Sequence, residues 1–315
     1  MSRGDSRSRP EPVGQIGLGI MGGAFAKHLL EAGFDVVGFD PDRRRAAQFA
    51  RHGGRSARSG AAVATRCRTI VTSLPSIKAC EAAFFGRDGI AGRARRGTVV
   101  IETSTMPLET KIALRDSCAA HGVTVLDCPI SGTGAQAAAK DISVYASGER
   151  DAVRRCADIL NGFSRSMHYC GPFGNGTKLK FVANLLVTIH NLAAAEAIVL
   201  GLKSGLDLAL LYKVIRDGAG TSRMFEVRGP LMVANDYSDA HMKCEIYQKD
   251  IDIIGAFAAK LRCPTPLFEA SKPYYSAALA QGHAKDDTAA ICAVLERMAG
   301  ITRNQSRQMK GKGRR

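Results

Sequence analysis

The stretch VGQIGLGIMGGAFAKHLLEAGFDVVGFD, residues 13–40, restricts the fold more than any other part of this chain. Val13 to Ile16 reads as a short buried strand. Gly17, Gly19 and Gly22 follow at the spacing G-x-G-x-x-G, and then Phe25, Leu29 and Leu30 recur at helical period. A strand that turns sharply into a helix needs glycine at the bend. A backbone that touches a pyrophosphate tolerates no Cβ at the second position, and close helix-to-strand packing excludes one at the third. The anion would lie at the positive end of the helix. A second apolar run, Val36 to Phe39, ends at Asp40. That is about 20 residues past the first glycine, where a carboxylate accepts hydrogen bonds from an adenosine ribose. Strand, turn, helix, strand and acid in register predict a dinucleotide site built from Gly17, Leu18, Gly19, Ile20, Met21, Gly22 and Asp40.

The first half of the chain continues this alternation. Further strands are expected near 69–73, 98–102, 123–126, 142–146 and 166–169, with amphipathic stretches between them, which implies a mostly parallel sheet covered by helices. From about Gly176 the pattern changes to long helical segments, 176–203, 207–217, 225–233, 243–261, 265–281 and 287–298, separated by glycine and proline. The expected organisation is a tail over 1–12, an α/β domain over 13–170, an all-helical domain over 171–300 and a basic disordered tail over 301–315.

The formal net charge is +15, and its distribution decides how it is read. The tail RNQSRQMKGKGRR holds Arg303, Arg307, Lys310, Lys312, Arg314 and Arg315 with no acid. Elsewhere the arginines look diffuse, as in Arg43, Arg44 and Arg45 or Arg93, Arg95 and Arg96. The chain has no Trp and no aromatic ladder, which argues against stacking on nucleic-acid bases, whereas a basic surface draws in anionic cofactors and carboxylates. The nine cysteines form no C-x-x-C pair, so reduced thiols in the cytoplasm are expected rather than disulfides or a metal centre. No membrane span is expected, because FVANLLVTIHNLAAAEAIVLGL is interrupted by Asn184, His190, Asn191 and Glu196.

Four stretches, GQIGLGIMG at 14–22, DCPISGT at 127–133, GNGTKLKFVAN at 174–184 and QKDIDIIGAFA at 248–258, carry a resemblance over residues 13 to 300. The chain resembles the β-hydroxyacid dehydrogenases, the group of 3-hydroxyisobutyrate dehydrogenase, tartronate semialdehyde reductase and threonate dehydrogenase. The resemblance implies a Rossmann-like dinucleotide-binding domain followed by an all-α C-terminal domain that closes the cleft. It implies NAD or NADP as cofactor and a small carboxylate substrate oxidised at its β-carbon. It also implies a homo-oligomer, dimer or tetramer, assembled through the helical domains.

It places Lys180 on the family's catalytic lysine, with Asn184 one helical turn further on to hold the substrate oxygen or orient the lysine. Burial beside a positive nicotinamide would lower the lysine pKa and let it serve as base and acid. The start of that helix, Gly174-Asn175-Gly176, reads as flexible. Ser131, Gly132 and Thr133 form the turn expected to grip the substrate carboxylate, Thr133 standing where the family has a second glycine. The resemblance adds Leu74, Pro75, Thr105 and Lys249 to the cofactor contacts, with Asp250 fixing the helix that carries Lys249. Asp40 favours NAD over NADP by repelling a 2′-phosphate, although Arg43, Arg44 and Arg45 follow it. Ser222, Arg223 and Phe225 are read as pocket residues, with a helix cap as the alternative for Ser222. Other functions share this fold, an imine or semialdehyde reductase and a non-catalytic, chromatin-associated dinucleotide-binding module, and Lys180 argues against the imine reductase and the non-catalytic module.

Overall fold

The computed structural model describes residues 11–303. The chain divides into two compact units, one ending at Phe181 and the other beginning at Val182. Most of the two tails expected over 1–12 and 301–315 lies outside the described residues.

Six parallel strands organise the first unit: β1 (Val13–Ile16), β2 (Val36–Phe39), β3 (Arg55–Ser56), β4 (Thr69–Thr72), β5 (Val99–Glu102) and β6 (Thr124–Asp127). Their order is β3-β2-β1-β4-β5-β6, so the chain reverses direction across the sheet between β1 and β4. Successive residues point to opposite faces, and both faces are covered. Val36, Val71, Ile101 and Leu126 pack with Phe25, Leu29 and Phe163 on one side. Val37, Ile70, Val100 and Val125 pack with Phe84 and Leu114 on the other. Strands buried on both faces read as unbroken apolar runs, which is why their sequence signal is strong.

The two later strands expected by alternation do not join that sheet. With β7 (Ile130–Ser131) they form a separate sheet in the order β7-β8-β9, where β8 is Ser143–Ala146 and β9 is Ser166–Tyr169. β7 runs antiparallel to β8, while β8 and β9 are parallel. Pro129 and Gly132 bracket β7 and leave it two residues long, too short for any periodicity to reveal it.

A 29-residue helix, Asn175–Lys203, begins in the first unit and continues into the second. It is long and apolar enough to cross a membrane by length and composition. Its polar residues nevertheless behave as core groups of the second unit. Asn184, Thr188 and Asn191 are buried there, and their side chains meet Asp250, Tyr247 and Tyr275 respectively. Around this rod stand the helices Leu208–Asp217, Arg223–Ala234, Cys244–Lys260, Pro266–Ala280 and Ile291–Met298. The unit extends past the point where a disordered tail was expected to begin. Ile301 N donates to Glu296 O at 2.8 Å. Arg303 donates to Met232 O at 2.8 Å and Val233 O at 3.0 Å and pairs with the buried Glu296.

Candidate active site

The strands of the large sheet are parallel, so their C-terminal ends share one edge, and the expected cofactor residues of the first unit collect there. Gly17 turns the chain out of β1 at φ +87°, and a Cβ on it would stand 2.1 Å from Ser73 O. At Gly22 a Cβ would stand 2.0 Å from Gly17 O, so the third glycine holds the helix Ile20–Glu31 against the bend. Gly19 differs. A Cβ there would meet nothing nearer than the Arg45 guanidinium at 3.5 Å, and the residue lines a cleft of about 410 Å³ together with Leu18, Ile20, Arg45 and Gln48.

The helices after β2, β3 and β4 are capped by Asp42, Ser59 and Ser76, each accepting a backbone N–H through its side chain. The helix after β1 has Gly19 at that position, with no side-chain cap and no acid in its first turn. Its leading N–H groups therefore lack the acceptor that its neighbours carry, and an anion supplies one. A dinucleotide pyrophosphate fits that requirement.

Asp40 closes the loop from the side. Its Oδ2 accepts from Leu18 N at 2.7 Å, its Oδ1 accepts from Asp42 N at 2.8 Å, and Arg45 lies 3.7 Å from Oδ2. The carboxylate thus ties the end of β2 to the glycine turn. The remaining turns are tied to one another: Ser73 N donates to Ile16 O at 2.9 Å and Leu74 N donates to Ser104 Oγ at 2.9 Å. Leu74 and Pro75 after β4 and Thr105 after β5 consequently stand at the same edge as Gly17.

A buried cation that the sequence pattern does not reveal lies behind this edge. Glu102 and Asp127 are register partners at the ends of β5 and β6, and both are almost fully enclosed. Lys111, 1 % exposed, places Nζ 2.7 Å from Glu102 Oε2 and 2.8 Å from Asp127 Oδ1. Burial opposes the ammonium, but Asp127 and Glu102 together outweigh it and raise the Lys111 pKa.

Asp127 also reaches the long helix, accepting Thr177 N at 2.8 Å, Thr177 Oγ1 at 2.7 Å and Ser147 Oγ at 3.1 Å. Ser147 Oγ accepts Gly176 N at 3.0 Å, and Asn175 Nδ2 donates to Cys170 O at 2.9 Å. A Cβ on Gly176 would stand 2.4 Å from Tyr145 O. The segment Gly174-Asn175-Gly176, expected to be flexible, is therefore clamped. Lys180 follows within one turn and is half-buried.

In the turn expected to hold the substrate, Gly132 has φ +143°, and a Cβ there would stand 2.6 Å from Ile142. Ser131 is half-buried at the end of β7. Thr133 is the N-cap of the helix Gly134–Ala138: its Oγ1 accepts Gln136 N at 3.3 Å, and its own N–H donates to Gln136 Oε1 at 3.0 Å. The second hydroxyl of the turn thus starts a helix.

In the second unit, Asn184 Nδ2 donates to Asp250 Oδ2 at 3.0 Å, and Lys249 Nζ lies 3.3 Å from Asp250 Oδ1. Asp250 thereby contacts both residues that the family motifs single out, Asn184 on the long helix and its own neighbour Lys249. Ser222 caps the helix Arg223–Ala234, accepting Phe225 N at 3.1 Å, and Phe225 is a core residue stacked on Tyr212. Ser222 thus takes the helix-cap role that was its alternative, and Phe225 packs in the core of the unit.

A glycine turn with an uncapped helix at a strand-order reversal, followed by a helical unit, defines a dinucleotide-binding oxidoreductase architecture. Residues 12–171 match the NAD binding domain of 6-phosphogluconate dehydrogenase, and residues 174–295 match the NAD-binding domain of NADP-dependent 3-hydroxyisobutyrate dehydrogenase. L-threonate dehydrogenase of Cupriavidus necator is 35% identical over 280 residues, 89% of this chain and 94% of that protein. The crystal structure of 3-hydroxyisobutyrate dehydrogenase from Salmonella typhimurium superposes with a TM-score of 0.82 at 29% identity, covering 90% of this chain and 99% of that one. Mycobacterium tuberculosis 3-hydroxyisobutyrate dehydrogenase with L-serine gives 0.80 at 26%, with the same coverage. The chain belongs to the β-hydroxyacid dehydrogenase family, and it is an NAD(P)-dependent dehydrogenase of the 3-hydroxyacid type.

Proposed function

We propose that the protein transfers a hydride between a nicotinamide and the β-carbon of a small 3-hydroxy acid of three to five carbons, or its semialdehyde, with Lys180 as general acid and base. The observation that carries this reading is the clamp on the start of the long helix. Asp127 and Ser147 bind the helix's first N–H groups, so the Lys180 backbone is set within one turn of a rigid anchor. A catalytic proton donor has to be held in this way, because misplacement by about 1 Å costs roughly 10²-fold in rate. The bound cofactor supplies the hydride acceptor, and the protein residues do the rest. In oxidation the neutral Lys180 amine takes the hydroxyl proton, and in reduction the ammonium returns it. Asn184, oriented by Asp250, holds the reacting oxygen. Ser131 and the N–H groups of the turn through Gly132 and Thr133 bind the carboxylate. Lys249, paired with Asp250, is the further cofactor contact that the family resemblance implies.

Asp40 supports NAD as the preferred cofactor, since a carboxylate at the ribose repels a 2′-phosphate. Exposed apolar residues on the helical unit, among them Leu200, Leu206, Leu210 and Val214, support assembly into a dimer or tetramer through that unit. All nine cysteines are unpaired, which fits a reducing, cytoplasmic compartment. The test is a screen of small hydroxy acids and their semialdehydes with NAD and NADP, read by absorbance of the reduced nicotinamide, for the parent and Lys180→Ala. Turnover should fall by about 10²- to 10⁴-fold with dinucleotide affinity kept. A variant that turns over like the parent would remove Lys180 from the chemistry.

A further inference from the structure

The opposite edge of the large sheet, where the parallel strands begin, carries an arginine cluster that cofactor chemistry does not use. Arg55 opens β3, Arg66 and Arg68 precede β4, and Arg95 and Arg96 precede β5, all of them exposed. Strands of four residues separate this edge from the glycine turn by about 13 Å.

Two of the side chains, Arg68 and Arg95, meet, and the others lie beside them on neighbouring strand starts. Arg68 Nη1 donates to Arg96 O at 3.2 Å, Arg95 Nη2 donates to Arg66 O at 3.4 Å, and Arg96 lies along Gly122. Arg68 and Arg95 share one carboxylate oxygen, Glu11 Oε1, at 3.3 and 3.5 Å. Arg55 pairs with Asp35. The buried Cys67 beneath them registers the same charges: desolvation pushes its thiol up to about 11, with Arg55, Arg95 and Arg66 lowering it and Asp35 raising it. Five guanidiniums against two carboxylates leave a net positive surface at this edge.

We propose that this edge docks the phosphate backbone of duplex nucleic acid without regard to sequence. Guanidinium forks match phosphate oxygens and keep their charge at every physiological pH. Duplex DNA presents one charge per about 1.7 Å, far denser than the roughly 3.3 Å per residue of an extended acidic polypeptide. Among the described residues no aromatic ring lies against any of the five arginines, so the surface lacks the platforms that single-stranded bases need. The charge looked diffuse along the sequence because its members lie up to 41 positions apart, from Arg55 to Arg96, and only the sheet brings them together.

The test uses the full chain and a dye-labelled duplex of random sequence, with anisotropy measured over a series of salt concentrations. Binding is expected with a Kd on the order of 10⁻⁴ to 10⁻⁶ M at physiological salt, and log K should fall with log salt at about −0.9 per phosphate contacted. The triple variant R66Q/R95Q/R96Q should flatten that slope by about 2.7 while retaining dehydrogenase turnover and melting temperature. If the triple variant melts early, R66Q and R95Q taken singly should each flatten it by about 0.9. A second variant, R307Q/K310Q/K312Q/R314Q/R315Q, separates the C-terminal tail and should leave the contribution of the edge in place. The proposal fails if the arginine variants keep the parent slope or if all binding disappears with the tail. It also fails if no binding is seen at low salt, or if polyglutamate or anionic vesicles bind as tightly as the duplex.

Discussion

Asp127 and Thr177 are joined twice, the threonine N–H donating to Oδ2 at 2.8 Å and its hydroxyl to Oδ1 at 2.7 Å, with the carboxylate fully enclosed. This contact connects the end of a sheet strand to the first turn of the helix that carries Lys180. Both donors are consumed by one charged acceptor, so the helix start has no freedom to rotate about a single bond.

Thr177→Val keeps the shape and removes the hydroxyl donor. A hydrogen bond to a charged acceptor contributes roughly 1.5–3 kcal/mol, so chemical denaturation should show a loss of that order. Turnover should fall further than dinucleotide affinity, because the lysine-bearing turn is displaced while the glycine loop is untouched. Thr177→Ser, which retains both bonds, should restore both quantities.

Lys111 answers a different question, namely what permits two carboxylates to sit in register inside the protein. Lys111→Met leaves Glu102 and Asp127 facing each other without a cation, and breaking a buried pair in this way costs about 3–5 kcal/mol. The pH dependence has a definite sign. Because the folded-state pKa of Lys111 is raised above 10.5, its stabilisation is fully present below that value and is lost as pH rises through the folded pKa. Urea unfolding followed toward alkaline pH should therefore fall steeply for the parent above pH 10.5 and more gently for the variant.

Gly22→Ala tests the packing role of the third glycine. The new methyl would meet Gly17 O at 2.0 Å and Gln15 Nε2 at 2.8 Å, and a carbonyl in a tight turn has little room to yield. Overpacking of this kind costs about 1–3 kcal/mol, and the displaced loop should bind dinucleotide at least about tenfold more weakly. Titration of the reduced cofactor by fluorescence measures the second effect. Gly33→Ala is the control, since nothing lies within 4 Å of a Cβ there and only its φ of +88° opposes the change.

What the sequence revealed and what it hid follow from the same physics. Val13–Ile16, Val36–Phe39 and Thr69–Thr72 are enclosed on both faces, so burial writes itself into short, mostly apolar segments without polar alternation, interrupted only by Gln15, Thr69 and Thr72. The exposed pair Arg55–Ser56 carries no such signal, and its strand was not legible. Gly17 and Gly22 were legible because contacts between backbone atoms dictate them. Lys111 was not, because a lysine on a helix looks like a surface residue until Glu102 and Asp127 arrive from two other elements. The one available sign was that both strands end on an acid, much as β2 is followed directly by Asp40. Thr133 and Ser222 were read toward ligands because a hydroxyl at a turn serves equally well as a helix cap, and both are caps.

Asp40 allows cofactor choice to be tested apart from the chemistry. Its carboxylate binds Leu18 N and Asp42 N and stands 3.7 Å from the Arg45 guanidinium, which also lies 3.6 Å from Asp42. With Asp40 present, Arg45 is drawn toward two acids, and on the proposed reading the carboxylate repels a 2′-phosphate at the ribose. In Asp40→Ser the repulsion is gone, the hydroxyl still accepts from the loop, and Arg45 is released toward the cleft it lines. The ratio of kcat/KM for NAD to that for NADP should fall at least about tenfold, equivalent to about 1.4 kcal/mol. Adding Arg45→Ala to that variant should return part of the loss by weakening NADP alone. A ratio that does not move in Asp40→Ser would mean that cofactor choice is made elsewhere along the ribose, and that Asp40 acts only as the tie between β2 and the glycine turn.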